Sequence, residues 1–185
     1  MAIFLIIVSC LLWLLAIASL FKRPILGPLL SYLGLWLLSF ARRPGVVGDM
    51  TYPVLPINNT ILLVWACMTV VVLIATILQP DTIKSQTRGT GYMTMGALAG
   101  LAVGLMAFSF SASLSLLYAS MVLGVIAGVF FGFLLFTNTP DGGAVNLRSG
   151  RFFTYLLAKG FPIAITVMLP GVVCVLALAM TTLIA

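Results

Sequence analysis

Charged side chains leave five long gaps in this chain, and the serine-rich turn at 111–115 divides the longest of them, so that six apolar stretches result. No charge falls within residues 2–21, 25–41, 61–79, 91–110, 114–136 or 162–184. At 1.5 Å of rise per residue, a helix of about 20 residues covers a hydrocarbon core of about 30 Å. A backbone that enters lipid must satisfy its own hydrogen bonds, so apolar runs of this length fold as helices. Composition agrees, since 63% of the 185 residues are hydrophobic and 6% are charged, too little polar surface for a soluble domain of that size. The expected fold is an all-α integral membrane protein, one polytopic domain over 1–185 with six transmembrane helices at the stretches named above.

The fourth and fifth stretches constrain the packing most. Gly96, Gly100 and Gly104 recur at every fourth position of one, and Gly124, Gly128 and Gly132 do the same in the other. That spacing makes a strip along a membrane helix where a second backbone can approach closely. If the helices turn about Leu114 in Ser111-Ala112-Ser113-Leu114-Ser115, equal heights pair Gly96 with Gly132, Gly100 with Gly128 and Gly104 with Gly124. The sequence therefore predicts an antiparallel glycine-zipper hairpin. Helices crossing at about −40° diverge within a few turns, so Gly100 with Gly128 is expected to be the closest pair.

Missing residue types exclude whole classes of chemistry. There is no histidine, and the three acids, Asp49, Asp81 and Asp141, are in predicted loops. The spans thus lack a histidine base, the usual zinc and haem ligands and a buried carboxylate for proton relay. No enzyme activity, catalytic residue, metal site or cofactor is expected. Cys10, Cys67 and Cys174 lie in separate apolar segments without CxxC spacing and read as small hydrophobes. The net charge of +6 comes from nine basic residues, scattered in short loops. That pattern sets membrane orientation; it is not a nucleic-acid footprint.

In chain order, the first span carries no charge before it and Lys22-Arg23 directly after it, which is not the layout of a secretory signal peptide. Pro24, Gly27 and Pro28 mark a tight turn into the second, shorter helix. Trp13, Tyr32 and Trp36 are available as packing or interface aromatics. Residues 42–60 hold three prolines and two glycines, so no regular helix is expected there. Asn58-Asn59-Thr60 matches a glycosylation triplet, but Asn59-Thr60 reads more simply as the cap of the third span. The loop at 137–151 carries a Pro-Asp-Gly-Gly turn signal and the basic residues Arg148 and Arg151.

The last apolar segment is too long for one straight span. Gly160 and Pro162 are expected to divide it, leaving a short aromatic and basic helix in the interface before the sixth span. Lys159, with Arg148 and Arg151, is then read as interfacial charge. Further on, Pro170-Gly171 falls near the bilayer midplane. Proline withholds the hydrogen bond to the Thr166 carbonyl, four residues back, and a carbonyl freed at that depth needs a neighbour, a water or a ligand. Thr166, Pro170 and Gly171 are the candidate solute site or hinge.

Orientation follows from the basic residues. With the N-terminus outside, Lys22, Arg23, Lys84, Arg88, Arg148 and Arg151 are cytoplasmic, and only Arg42 and Arg43 are external. Both termini are expected outside, in a membrane of the bacterial inner (plasma) type. The function expected is a small transporter or channel-like component for a neutral or lipid-like solute. The alternative is a non-catalytic accessory or assembly subunit, whose partners would be other membrane subunits as well as the lipid bilayer.

Overall fold

The computed structural model describes residues 2–22, 26–44, 51–79, 89–106, 113–142 and 151–184. Within them the chain is almost entirely helical. The elements are α1 (Ala2–Lys22), α2 (Leu26–Ser39), β1 (Arg42–Pro44), β2 (Thr51–Pro53), α3 (Asn59–Ile77), α4 (Thr90–Met106) and α5 (Leu114–Thr137). After them come α6 (Phe152–Tyr155), a π-helical stretch (Leu156–Gly160) and α7 (Phe161–Ile184). Among the described residues four helical runs are long and apolar enough to cross a membrane: Ala2–Phe21, Asn59–Ile77, Ser115–Thr137 and Phe152–Met180. Leu26–Ser39 and Thr90–Met106 are apolar but shorter. Large side chains such as Phe4, Leu14, Leu63, Ile77 and Leu123 are exposed on the outer faces. On a soluble protein such faces would drive aggregation, whereas in a bilayer they meet acyl chains.

The C-terminal helix is the centre of the bundle. Ile163, Val167, Leu169, Val172 and Val175 are fully buried along it, with Leu35 of α2, Met93 and Ala97 of α4, and Leu117, Met121 and Val125 of α5 around it. Helices α2 and α3 pack on one side of α7, the α4–α5 hairpin on another. At its start an aromatic cluster ties α6 to α5: Phe133 lies 4.8 Å from Phe152 and stacks on Tyr155 at 5.6 Å. Aromatic pairs at such distances add about 0.5–1.5 kcal/mol beyond the area they bury.

Within 42–53 the described residues, 42–44 and 51–53, are not helical, in keeping with the prolines there. They pair as a two-stranded antiparallel ladder, with Arg42 opposite Pro53, Arg43 opposite Tyr52 and Pro44 opposite Thr51. The cap of α3 is one residue earlier than the sequence suggests. Asn58 is the N-cap, and its side chain accepts from the Asn59 amide at 2.8 Å. Of the tryptophans in the first two helices Trp36 is exposed and Trp13 packs inward: Trp13 Nε1 donates to the Ser31 carbonyl at 3.1 Å, and its ring covers Gly34 so closely that a Cβ there would lie 2.6 Å from it.

The end of the chain differs from the sequence expectation. Helical backbone runs from Phe152 through Gly160 and Pro162 to Ile184, with a wider π turn at Leu156–Gly160 in place of a break. Among the described residues no separate interfacial helix precedes the last apolar run, Phe152–Met180. The continuity has a physical cause: the carbonyl that Pro162 leaves without a helical partner, that of Ala158, accepts a hydrogen bond from Gln79 Nε2 at 2.7 Å. With that group satisfied from α3's C-terminal end, the helix need not stop.

Candidate functional site

Two regions bear on function: the proline-containing helix at the centre and the glycine strips on the α4–α5 hairpin.

In the first, Pro170 sits inside α7 and Thr166 is fully buried one turn before it. The Thr166 carbonyl, which has no amide partner at position 170, accepts from Ser31 Oγ of α2 at 2.9 Å. The Thr166 hydroxyl is occupied as well, donating to the Pro162 carbonyl at 2.7 Å. Helix α2 comes this close because it carries glycine at the crossing: a Cβ on Gly27 would lie 2.8 Å from Thr166 Oγ1 and 2.6 Å from Leu20 Cδ2. Gly171 serves the opposite face, where a Cβ would meet Leu101 Cδ1 at 2.7 Å and Met121 Sδ at 3.0 Å. Thr166, Pro170 and Gly171 are therefore together at a crossing point clasped between α2 and the hairpin. The neighbour that the freed carbonyl requires is Ser31.

Ala158 and Gln79 repeat the device half a helix earlier. Its balance is different, because Gln79 Oε1 is buried with no hydrogen-bond partner. Lys159 lies in the same π turn and is 2% exposed. Its side chain is inside the protein and not on an exposed face. The reason is the continuous helix: without a break at Gly160, residue 159 faces the bundle. Arg151 is exposed just before α6, and Arg148 is outside the described residues.

In the second region all six glycines face the opposing helix. A Cβ on Gly96 would lie 3.1 Å from Gly132 Cα, one on Gly100 3.1 Å from Gly128 Cα, and one on Gly124 3.2 Å from Gly104 Cα. Each would also collide with an opposing carbonyl: Gly128 for Gly96, Gly124 for Gly100, Ser120 for Gly104. Real Cβ atoms do not approach backbone this closely, so only glycine fits. Of the three α4 glycines an added Cβ would be tightest at Gly96 and Gly100 and loosest at Gly104. Two contacts hold the ends together. Ser120 Oγ donates to the Gly104 carbonyl at 3.0 Å near the turn. At the open end Gly89, with φ of +85°, passes against the Phe136 ring.

The outer side of this hairpin is a groove of about 740 Å³. Its floor is Gly96, Gly100, Gly124 and Gly128, with Ala99 and Ala127 beside them; its walls include Met95, Val103, Phe131 and Leu135. Phe21 and Tyr92 stand at one end. The groove exists because close backbone approach leaves no side chains to fill the surface above the contact. It can accept an apolar, elongated group and offers almost nothing to a polar one. Among the described residues no group of three or more Cys, Asp or Glu could hold a metal ion.

Sequence reasoning found the glycines and the proline but missed Ser31, Gln79 and Ser120, the donors that secure them. A lone serine in an apolar helix was the available signal. Comparison with protein-family models, with curated proteins and with solved structures finds no match.

Proposed function

We propose that this chain is a small polytopic membrane protein that acts as a transporter or channel-like component for a neutral or lipid-like solute. Six spans, with Leu26–Ser39 and Thr90–Met106 as the two short ones, and an N-terminus outside complete the reading. The glycine-zipper hairpin is its structural frame. The observation that supports it is the lateral groove over the hairpin, whose lining is apolar along its length. A solute recognised there needs no charge, in keeping with the absence of acids from the spans. The proline crossing is a less suitable site, since its freed carbonyls already have donors from α2 and from Gln79. Reconstitution into vesicles holding a fluorescent lipid analogue tests the proposal. Transbilayer exchange should outrun that of protein-free vesicles, and equal rates would overturn a transport role for lipid-like solutes.

A non-catalytic accessory subunit is the second reading. It is favoured by the same saturation of Thr166 and Ala158, which makes the central helix a fixed post and leaves outer faces, such as that of α3 with Leu63, Val70 and Ile74, for neighbouring chains. Gentle purification separates the two, because stoichiometric partner chains belong to the accessory reading alone.

A further inference from the structure

Resting on the membrane reading above but not on the transport one, we infer that Cys10 of α1 and Cys174 of α7 are a dithiol pair. They close as a disulfide between the two helices, and the oxidant is a quinone dissolved in the bilayer.

The two thiols are near one height. A Cβ on Gly27 would lie 2.6 Å from Leu20 Cδ2 and 2.8 Å from Thr166 Oγ1, so Leu20 of α1 and Thr166 of α7 are level with each other. Helix α7 is antiparallel to α5, because Gly160 meets Val129 and Gly171 meets Met121. It is therefore parallel to α4, whose first turn sets Gly91 against Phe21 at the end of α1. Helix α1 thus runs opposite to α7. Back from Leu20 to Cys10 is a climb of about 15 Å, and forward from Thr166 to Cys174 one of about 12 Å, toward the same end of the bundle.

They also face one cleft. Thr166 is turned to α1 and α2, and Gly171 to Leu101 of α4. At 3.6 residues per turn Cys174 comes about 80° round from Thr166 and about 60° from Gly171, so it looks out between α1 and α4. It is the one exposed residue from Pro162 to Leu176. On α1, Cys10 is about three turns before Phe21 and so on the stripe that meets α4 at Gly91. Cys10 is exposed as well. Helices α1 and α7 pack on each other, and the two sulfurs are near enough to interact electrostatically.

Position selects the chemistry. Neighbouring helices can bring two cysteines to the Cα separation of about 4.4–6.8 Å that a disulfide spans. Among the described residues no third Cys, Asp or Glu joins them to hold a metal ion. Oxidation breaks two S–H bonds and forms one S–S bond, and the two electrons and two protons pass to the quinone, which leaves as quinol. Ile7 and Leu14, which flank Cys10 on its stripe, are exposed apolar side chains. The cleft therefore opens toward acyl chains, and a lipid-soluble oxidant reaches it where a charged, water-borne disulfide does not.

The test uses the full chain, reduced and reconstituted in vesicles, with a protease site inserted between residues 142 and 151. A short-chain ubiquinone is added, free thiols are then blocked, the site is cut and the fragments are separated without reductant. The two fragments should stay joined until reductant is added, with one quinol formed per bond. Cys67→Ser should leave the bond intact. Cys10→Ser and Cys174→Ser should each abolish it while the helical circular dichroism signal is kept. Fragments that part in the quinone-treated wild type, a bond that survives Cys174→Ser, a bond between two chains instead of within one, or a bond formed by oxidised glutathione as fast as by the quinone would each overturn the inference.

Discussion

Ser31 Oγ donates to the Thr166 carbonyl at 2.9 Å, joining helices 135 residues apart at the backbone group that Pro170 deprives of its own helical partner. The same serine accepts from Trp13 Nε1 through its carbonyl, so α1, α2 and α7 are tied through one residue. Helix α7 can therefore keep a proline in its interior and still be the most buried element.

Removal of this donor gives the first prediction. Ser31→Ala leaves a buried carbonyl without a partner, at a cost of about 1 kcal/mol. Pro170→Ala restores the amide that this carbonyl would otherwise use. In that background Ser31→Ala should cost almost nothing, as measured by reversible unfolding in mixed micelles. Equal costs in both backgrounds would show that the bond is not coupled to the proline.

Gln79 should behave differently although it performs the same task. Its Nε2 satisfies Ala158, but its Oε1 is buried without a partner. The second fact offsets the first, since an orphaned acceptor costs about as much as a hydrogen bond returns. Gln79→Leu is expected to change stability by less than about 0.5 kcal/mol, clearly below Ser31→Ala. A larger loss would mean that a bound water or headgroup completes Oε1 in the membrane.

The glycines can be ranked by what an added methyl would strike. Gly100→Ala and Gly128→Ala drive a Cβ into opposing backbone, which cannot yield, and should cost about 2 kcal/mol or misassemble the hairpin. At Gly171 the obstacles are the ends of Leu101 and Met121 side chains, which can turn aside. Gly171→Ala should therefore cost less than half as much. Similar losses at all three positions would show that strip geometry does not govern assembly.

Orientation is open to a direct measurement. Cysteines at Arg23 and Ser149, in a background lacking Cys10, Cys67 and Cys174, should react with an impermeant reagent from the cytoplasmic side only. Labelling of either from outside would reverse the proposed topology.

What the sequence by itself determined is local: which stretches are apolar and helical in tendency, and where glycine recurs. Charge-free apolar runs of this length fit helices in lipid, and glycine at every fourth position permits close backbone approach, so both are legible from local spacing. It also showed that Pro170 releases the Thr166 carbonyl, because that follows from covalent structure; the carbonyl of Ala158 was hidden by reading Pro162 as the start of a new helix. What tertiary structure decided was who answers them. Ser31 and Ser120 are ordinary polar residues in apolar helices, Gln79 lies just past the end of one, and their partners are 16 to 135 positions away. No local pattern encodes such a distance. The same holds for Lys159 and the unbroken C-terminal helix: glycine and proline weaken a helix locally, and only a donor from another helix, Gln79, allows it to continue. The groove is the last of these. Its glycine floor is written in the sequence, but its length is set by where Ser120 closes the hairpin and where α1 ends.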